Sequence, residues 1–425
     1  MLSGKHKSSL AGRTTFLLLL VTGLLGFATS RVAMGQAVSK KNDGFVVQFD
    51  ETVQLRASVG KVLISAFPGD VDIVRSNNER IRYVESITVK EDGEEDARAE
   101  AANISVIVYQ TRGKIEFQSR GDIGGNRRIK LWIPVDLELE ISNSYGDVTV
   151  EGGNAPVEIA TGTGDIIISD LEGYLDIWTG MGDVDVRNVS GPLTIESGAG
   201  DVEAVHIGAE IHILTGAGDI EISNIEGDVT TTTGGGDIEG DRINGDVDSF
   251  TGGGNIEFVY VKGDLDLNTS GGTIEFEYIV GHVRATTSGG DIDVRQLRGS
   301  LTAETMAGDV YVYDMSGDVK VVSKVGDVFV RINPDRNVEL EFIDIRAENG
   351  DIDLRIPSDL KADLRIDLGY YGELETDKFG GHLEWSEPRR DSAGARIRRA
   401  VGTLNKGGIR IELSTGTGDI SIKDR

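Results

Sequence analysis

At 425 residues the chain is too long for one small core, so it must divide into domains or repeat a unit. Glycine is in excess at 57 residues, proline is held to 7 and cysteine is absent, which excludes collagen, disulfide frameworks, thiolate metal sites and cysteine nucleophiles. A formal charge of −28 makes nucleic acid and anionic headgroups poor partners and leaves cations, basic proteins or neutral glycans.

The chain opens on an export signal. Lys5, Lys7 and Arg13 precede an apolar run over 14–28, and Gly35-Gln36-Ala37 offers small residues where a signal peptidase would cut. The run is shorter than the roughly 18 to 20 residues of a membrane span, so residues 1–37 read as a cleaved signal peptide. No later segment is apolar enough to span a bilayer. The mature chain is expected beyond the inner membrane: in the periplasm, on the outer cell surface or outside the cell. Four basic residues leave with the signal, which takes the formal charge to −32.

Residues 38–145 read as an N-terminal β cap, with strands predicted at 45–49, 62–65, 81–89, 104–109 and 129–133 in irregular spacing. The acidic, alanine-rich stretch 90–101 is expected to form a short helix or a solvated loop.

At Gly146 a nine-residue beat begins and runs to Gly326. Of its 21 positions, 19 are glycine, the exceptions being Ala155 and Ala209. Two residues after each stands Val, Ile or Leu without exception, and four residues after, all are apolar but Thr231, Gly240 and Ser249. Alternate nonamers differ, so the repeating unit is a pair of them, as in the pair starting at Gly164 and Gly173. Period-two alternation between glycine-rich turns makes each nonamer a half-buried strand. Residues 146–332 are therefore predicted to be all-β, a two-sheet parallel β-solenoid with 18-residue coils. Three hexads per coil fail, because stepping by six from Val148 reaches Asn154 and Ala160.

The inward columns follow: Ile166 and Ile168, Leu175 and Ile177, and a third aliphatic running from Leu171 through Val189 to Met315. Coils around Thr231, Gly240 and Ser249 should be weakest, for want of inward bulk. Phe258 over Phe276 and Tyr260 over Tyr278 are spaced for aromatic ladders. The threonine and serine column from Thr161 to Ser323 shares parity with buried Val157 and Ile159, so it should face inward and bond turn backbone. The turn aspartates Asp147, Asp165, Asp183, Asp201, Asp219 and Asp237 are expected to accept turn N–H groups.

Beyond Ile332 the beat fails. Residues 333–425 read as a C-terminal β cap with strands at 338–345, 351–356, 364–368 and 409–413, and 387–399 as a basic exposed loop.

Little of this carries chemistry. His206, His212, His282 and His382 fall in unrelated columns without metal-ligand spacing. Gly162-Thr163-Gly164 and its repeats lead into no helix and no Lys-Ser/Thr, so they are turns and not phosphate loops. Ten coils without insertion leave no walls for a substrate cleft. No catalytic residue, cofactor-binding residue or metal ligand is assigned, and the protein is read as a non-enzyme.

One column exceeds what the fold requires. Asp185, Glu203, Glu221, Glu239, Glu257, Glu275 and Asp293 stand outward in seven consecutive coils. Like charges about 4.8 Å apart repel by about 1 kcal/mol per neighbour even in water. This strip is the candidate interaction face, for a basic partner or for Ca²⁺ shared between coils; no other cofactor is expected. Outward aromatics near the stack's ends (Tyr174, Trp178, Tyr311, Tyr313 and Phe329) are expected to dock the caps in preference to serving as sugar platforms.

The mature chain resembles a bacterial family of β-strand repeat proteins, a domain of unknown function labelled as adhesins. The resemblance rests on the Gly-Asp-Val/Ile beat, the entry Ile129-Lys130-Leu131-Trp132-Ile133-Pro134 before Leu137-Glu138-Leu139, the exit Asn349-Gly350-Asp351-Ile352 through Ile356-Pro357, and the closing Gly418-Asp419-Ile420. It implies a β-solenoid in the cell envelope and no known catalytic residues. The expected function is a non-enzymatic exported scaffold or adhesin-like interaction protein that meets an envelope protein, a glycan or a cationic partner. A polysaccharide-binding or polysaccharide-degrading β-helix protein is the alternative.

Overall fold

The computed structural model describes residues 32–41, 44–120, 126–376, 383–390 and 396–425. Two long sheets, of 19 and 20 strands, stand face to face and run the length of the stack. The expected two-sheet solenoid is what forms. In the first sheet Val148 pairs in parallel with Ile166, Ile166 with Val184, and so on coil by coil to Val310 with Val328. The second repeats this from Leu139 with Val157 to Leu301 with Val319. Between the sheets lies one continuous hydrophobic core.

The glycine beat has a steric cause. A Cβ on Gly164, at φ +121°, would sit 2.3 Å from the carbonyl oxygen of Gly146 in the coil beside it; on Gly281 it would sit 1.9 Å from that of Gly263. At these two turns glycine is what lets the coils stack at strand spacing.

A second backbone device accounts for the odd spacing of the third inward aliphatic. Ile166 and Ile168 are two residues apart, but Leu171 follows after three, and simple alternation would turn it outward. The residue before it is left-handed in nine successive coils, Asp170, Asn188, His206, Asn224, Arg242, Tyr260, Tyr278, Gln296 and Asp314, with φ between 54° and 59°. That residue absorbs the extra step and returns Leu171 and its equivalents to the core. Asn and Asp suit this conformation; Arg, Tyr and Gln bear its cost.

The threonine column is buried, as expected. Thr251, Thr269 and Thr287 donate to the carbonyls of Gly236, Gly254 and Gly272 at 2.8 to 2.9 Å. The turn aspartates do accept backbone N–H groups, but from the neighbouring coil. Asp147 Oδ1 takes the N–H of Asp165, Asp165 that of Asp183, and the ladder continues through Asp219 and Asp237 to Asn255. They therefore join neighbouring coils.

The coils expected to be weak are filled. Thr231 and Ser249 share a buried hydrogen bond of 2.7 Å. A Cβ on Gly240 would lie 2.2 Å from the Phe258 ring, so that ring already occupies the space glycine leaves. Tyr260 and Tyr278 stack at 4.6 Å and 9°.

Both flanks join the stack, and both do so out of chain order. At one end Lys61–Pro68 and Asp70–Ser76 form a coil between Leu139/Val148 on one side and Ile115/Ile129 on the other. At the other, Ile409–Thr415 and Ile420–Asp424 lie between Phe342–Asn349/Ile352–Ile356 and Ala362–Gly369/Leu374–Thr376. Antiparallel strands then cover the edges: Arg80–Val89 on Arg127–Pro134, and Arg396–Leu404 on Ala362–Gly369.

Several boundaries move. The helix is Glu94–Ile104, so Ile104 ends a helix where a strand was expected; Ala97, Ala101 and Ile104 pack on Phe45, Val47, Ile87 and Val89. Residues 338–341 belong to a loop and the strand starts at Phe342. The basic segment expected as loop carries strands at Arg389–Arg390 and Arg396–Leu404. Most of the signal segment lies outside the described residues, and the cleavage point expected after Ala37 falls within the strand Val32–Lys41.

Candidate interaction face

The seven acidic residues are brought together as one ladder. Asp185 pairs with Glu203, Glu203 with Glu221, Glu221 with Glu239, Glu239 with Glu257, Glu257 with Glu275 and Glu275 with Asp293, each on the adjacent parallel strand. Their neighbours in sequence, such as Val202 and Ile220, point into the core, so alternation alone turns the carboxylates outward. Arginines close both ends. Arg187 contacts Asp185 and Glu203 at 2.8 Å, and Arg295 contacts Asp293 and Glu275 at 2.9 and 3.1 Å.

The middle of the ladder, Glu221, Glu239 and Glu257, is exposed. Partial burial first, then the carboxylates of Glu275 and Glu239, hold Glu257 above the ordinary glutamate range. No group of three or more His, Asp or Glu among the described residues is arranged to hold a metal ion.

The remaining singled-out residues scatter. His206 is the left-handed residue of the strand Val202–Ile207, His282 sits at a turn, His212 lies on the opposite sheet, and all three are exposed; His382 lies outside the described residues. The aromatics divide. The tilted rings of Tyr313 and Phe329 meet at 4.9 Å beneath Arg331 and Arg355, and Tyr311 donates to Asp309 at 2.9 Å, which pushes its phenol up to about 12. Tyr174 and Trp178, by contrast, are not covered by a cap; Trp178 stays 56% exposed.

Sequence reasoning missed a groove. Where one coil lengthens, so that Val328 pairs with Ile352, the loop 333–341 stands proud of the stack. Between it and the column Tyr278, Gln296 and Asp314 lies a concavity of about 750 Å³. The break in the beat was its only trace in the sequence.

A capped two-sheet stack of 18-residue parallel coils defines a β-solenoid repeat protein. The chain belongs to the Toastrack DUF4097 family, whose model matches residues 106–226 and 208–423. Among solved structures it is similar to one described as a "putative cell adhesion protein" from Clostridium sporogenes, at 8% identity and a TM-score of 0.16, over 88% of this chain and 99% of that one. No curated protein matches. No helix among the described residues is long and apolar enough to cross a membrane.

Proposed function

We propose that this protein is an exported, non-enzymatic envelope scaffold that presents the acidic ladder to a cationic partner. The observation that carries the reading is the unbroken register of Asp185, Glu203, Glu221, Glu239, Glu257, Glu275 and Asp293, which holds seven carboxylates at fixed strand spacing on a rigid sheet. A fixed row of like charge costs stability and gains only when an opposite charge meets it. The uninterrupted coils hold this face rigid. The basic start and apolar run of residues 1–37 support export.

Cell fractionation of the full chain, tagged after Arg425, tests the location. Processed protein in the envelope or the medium is expected; unprocessed protein in the cytoplasm would overturn the reading.

A further inference from the structure

The groove beside residues 333–341 differs in kind from the rest of the surface. Its floor is apolar: Tyr278 is 37% and Val280 47% exposed, and Pro334 closes one side. Its rim is polar and balanced. Arg298 and Arg336 face Asp314 and Asp335, and the amides of Gln296, Asn333 and Asn337 complete it. In a chain of charge −28 this lining sums to zero.

The wall is held in place. Arg298 bonds Asp335 at 2.7 Å, and Asp335 accepts from the backbone N–H and side chain of Asn337 at 2.9 and 3.1 Å. The Asn333 N–H donates to the Met315 carbonyl at 2.8 Å, and Arg331 holds Asp314 at 2.9 and 3.1 Å. A preformed site loses little ordering entropy on binding.

A charge-neutral lining selects neither a cation nor an anion. An aromatic and aliphatic floor suits the C–H face of a ring, and planar amides, carboxylates and guanidinium groups on the rim suit a row of hydroxyls. We infer that this groove is a binding site for a neutral oligosaccharide. It starts three residues along the strands from the acidic ladder (Glu275 to Tyr278, Asp293 to Gln296) and does not depend on that ladder's role.

Calorimetric titration of the full chain with a panel of neutral hexose and N-acetylhexosamine oligosaccharides tests it. At least one should bind, with affinity reduced tenfold or more in N333A/N337A and in Y278A and unchanged in E221Q/E239Q/E257Q. The Asn337 side chain also donates to Asp335, so the melting temperature of the first variant checks its fold, and Y278A, which leaves the bonds of Asp335 in place, reads the floor by itself. No binding by any member of the panel, or a binder whose affinity moves less than twofold in both groove variants, would overturn the inference.

Discussion

The middle of the stack and its two ends solve one problem in opposite ways. Between Val148 and Val328 each coil follows the last in sequence, and contacts are local to neighbouring coils. At the ends the chain inserts a coil between two others that are remote from it in sequence, Asp70–Ser76 between 127–134 and 148–151, and Ile420–Asp424 between 352–356 and 374–376. A linear stack can fray from an open end one coil at a time. An end whose inner coil is supplied by a remote segment cannot, because releasing it parts three coils at once.

The largest effect should come from breaking that closure. Deleting residues 409–425 removes the coil under Ala362–Gly369 and exposes the Phe342–Asn349 edge. Limited proteolysis should then cut throughout 342–404 while the coils over 148–330 stay protected.

At the opposite end, Glu85 and Arg127 form a fully buried pair at 2.5 Å, with Val106 N–H donating to Glu85 at 3.0 Å and Ser119 accepting from Arg127 at 2.7 Å. Glu85→Ala leaves a buried arginine without its counter-charge and should cost about 3 to 5 kcal/mol in denaturant unfolding of the end.

Within the regular stack a smaller loss is expected. Gly240→Ala drives a Cβ into the Phe258 ring and should cost about 1 to 3 kcal/mol; Phe258→Leu in the same chain should recover part of it, as a double-mutant cycle would show.

The smallest effect is a gain. Glu257 holds its proton more tightly in the folded protein than in the unfolded chain, so stability falls as pH rises from the ordinary value of 4.5 through the raised one. Glu257→Gln should therefore raise the melting temperature at pH 7, by the equivalent of at most about 1 kcal/mol, and leave it unchanged at pH 3. Added salt should shrink the gain.

The regular stack was legible because its constraints are local and periodic. Glycine under a neighbouring carbonyl, alternate aliphatics and an inward threonine each leave a mark in every coil. The left-handed column was hidden because Arg242, Tyr260, Tyr278 and Gln296 carry no conformational signature of their own; only the spacing of Ile168 and Leu171 betrays it. The filling of Gly240 by Phe258 was unreadable for a different reason, since the compensating side chain stands one whole coil further along the chain. The shuffled ends were beyond reach because a single pairing between segments as remote as Val71 and Val148 leaves no period to detect. The acidic ladder was fully visible, whereas the groove depends on how a lengthened loop folds back on the stack.

Binding of a decalysine peptide to the full chain tests the central claim most directly, comparing the native protein with E221Q/E239Q/E257Q and with a control that removes three exposed acids from the other sheet, E196Q/D248N/D266N. If the ladder is the interaction face, the first variant loses tenfold or more in affinity and the control less than threefold. Equal losses in the two variants would mean that the peptide reads net charge alone, and would contradict the account.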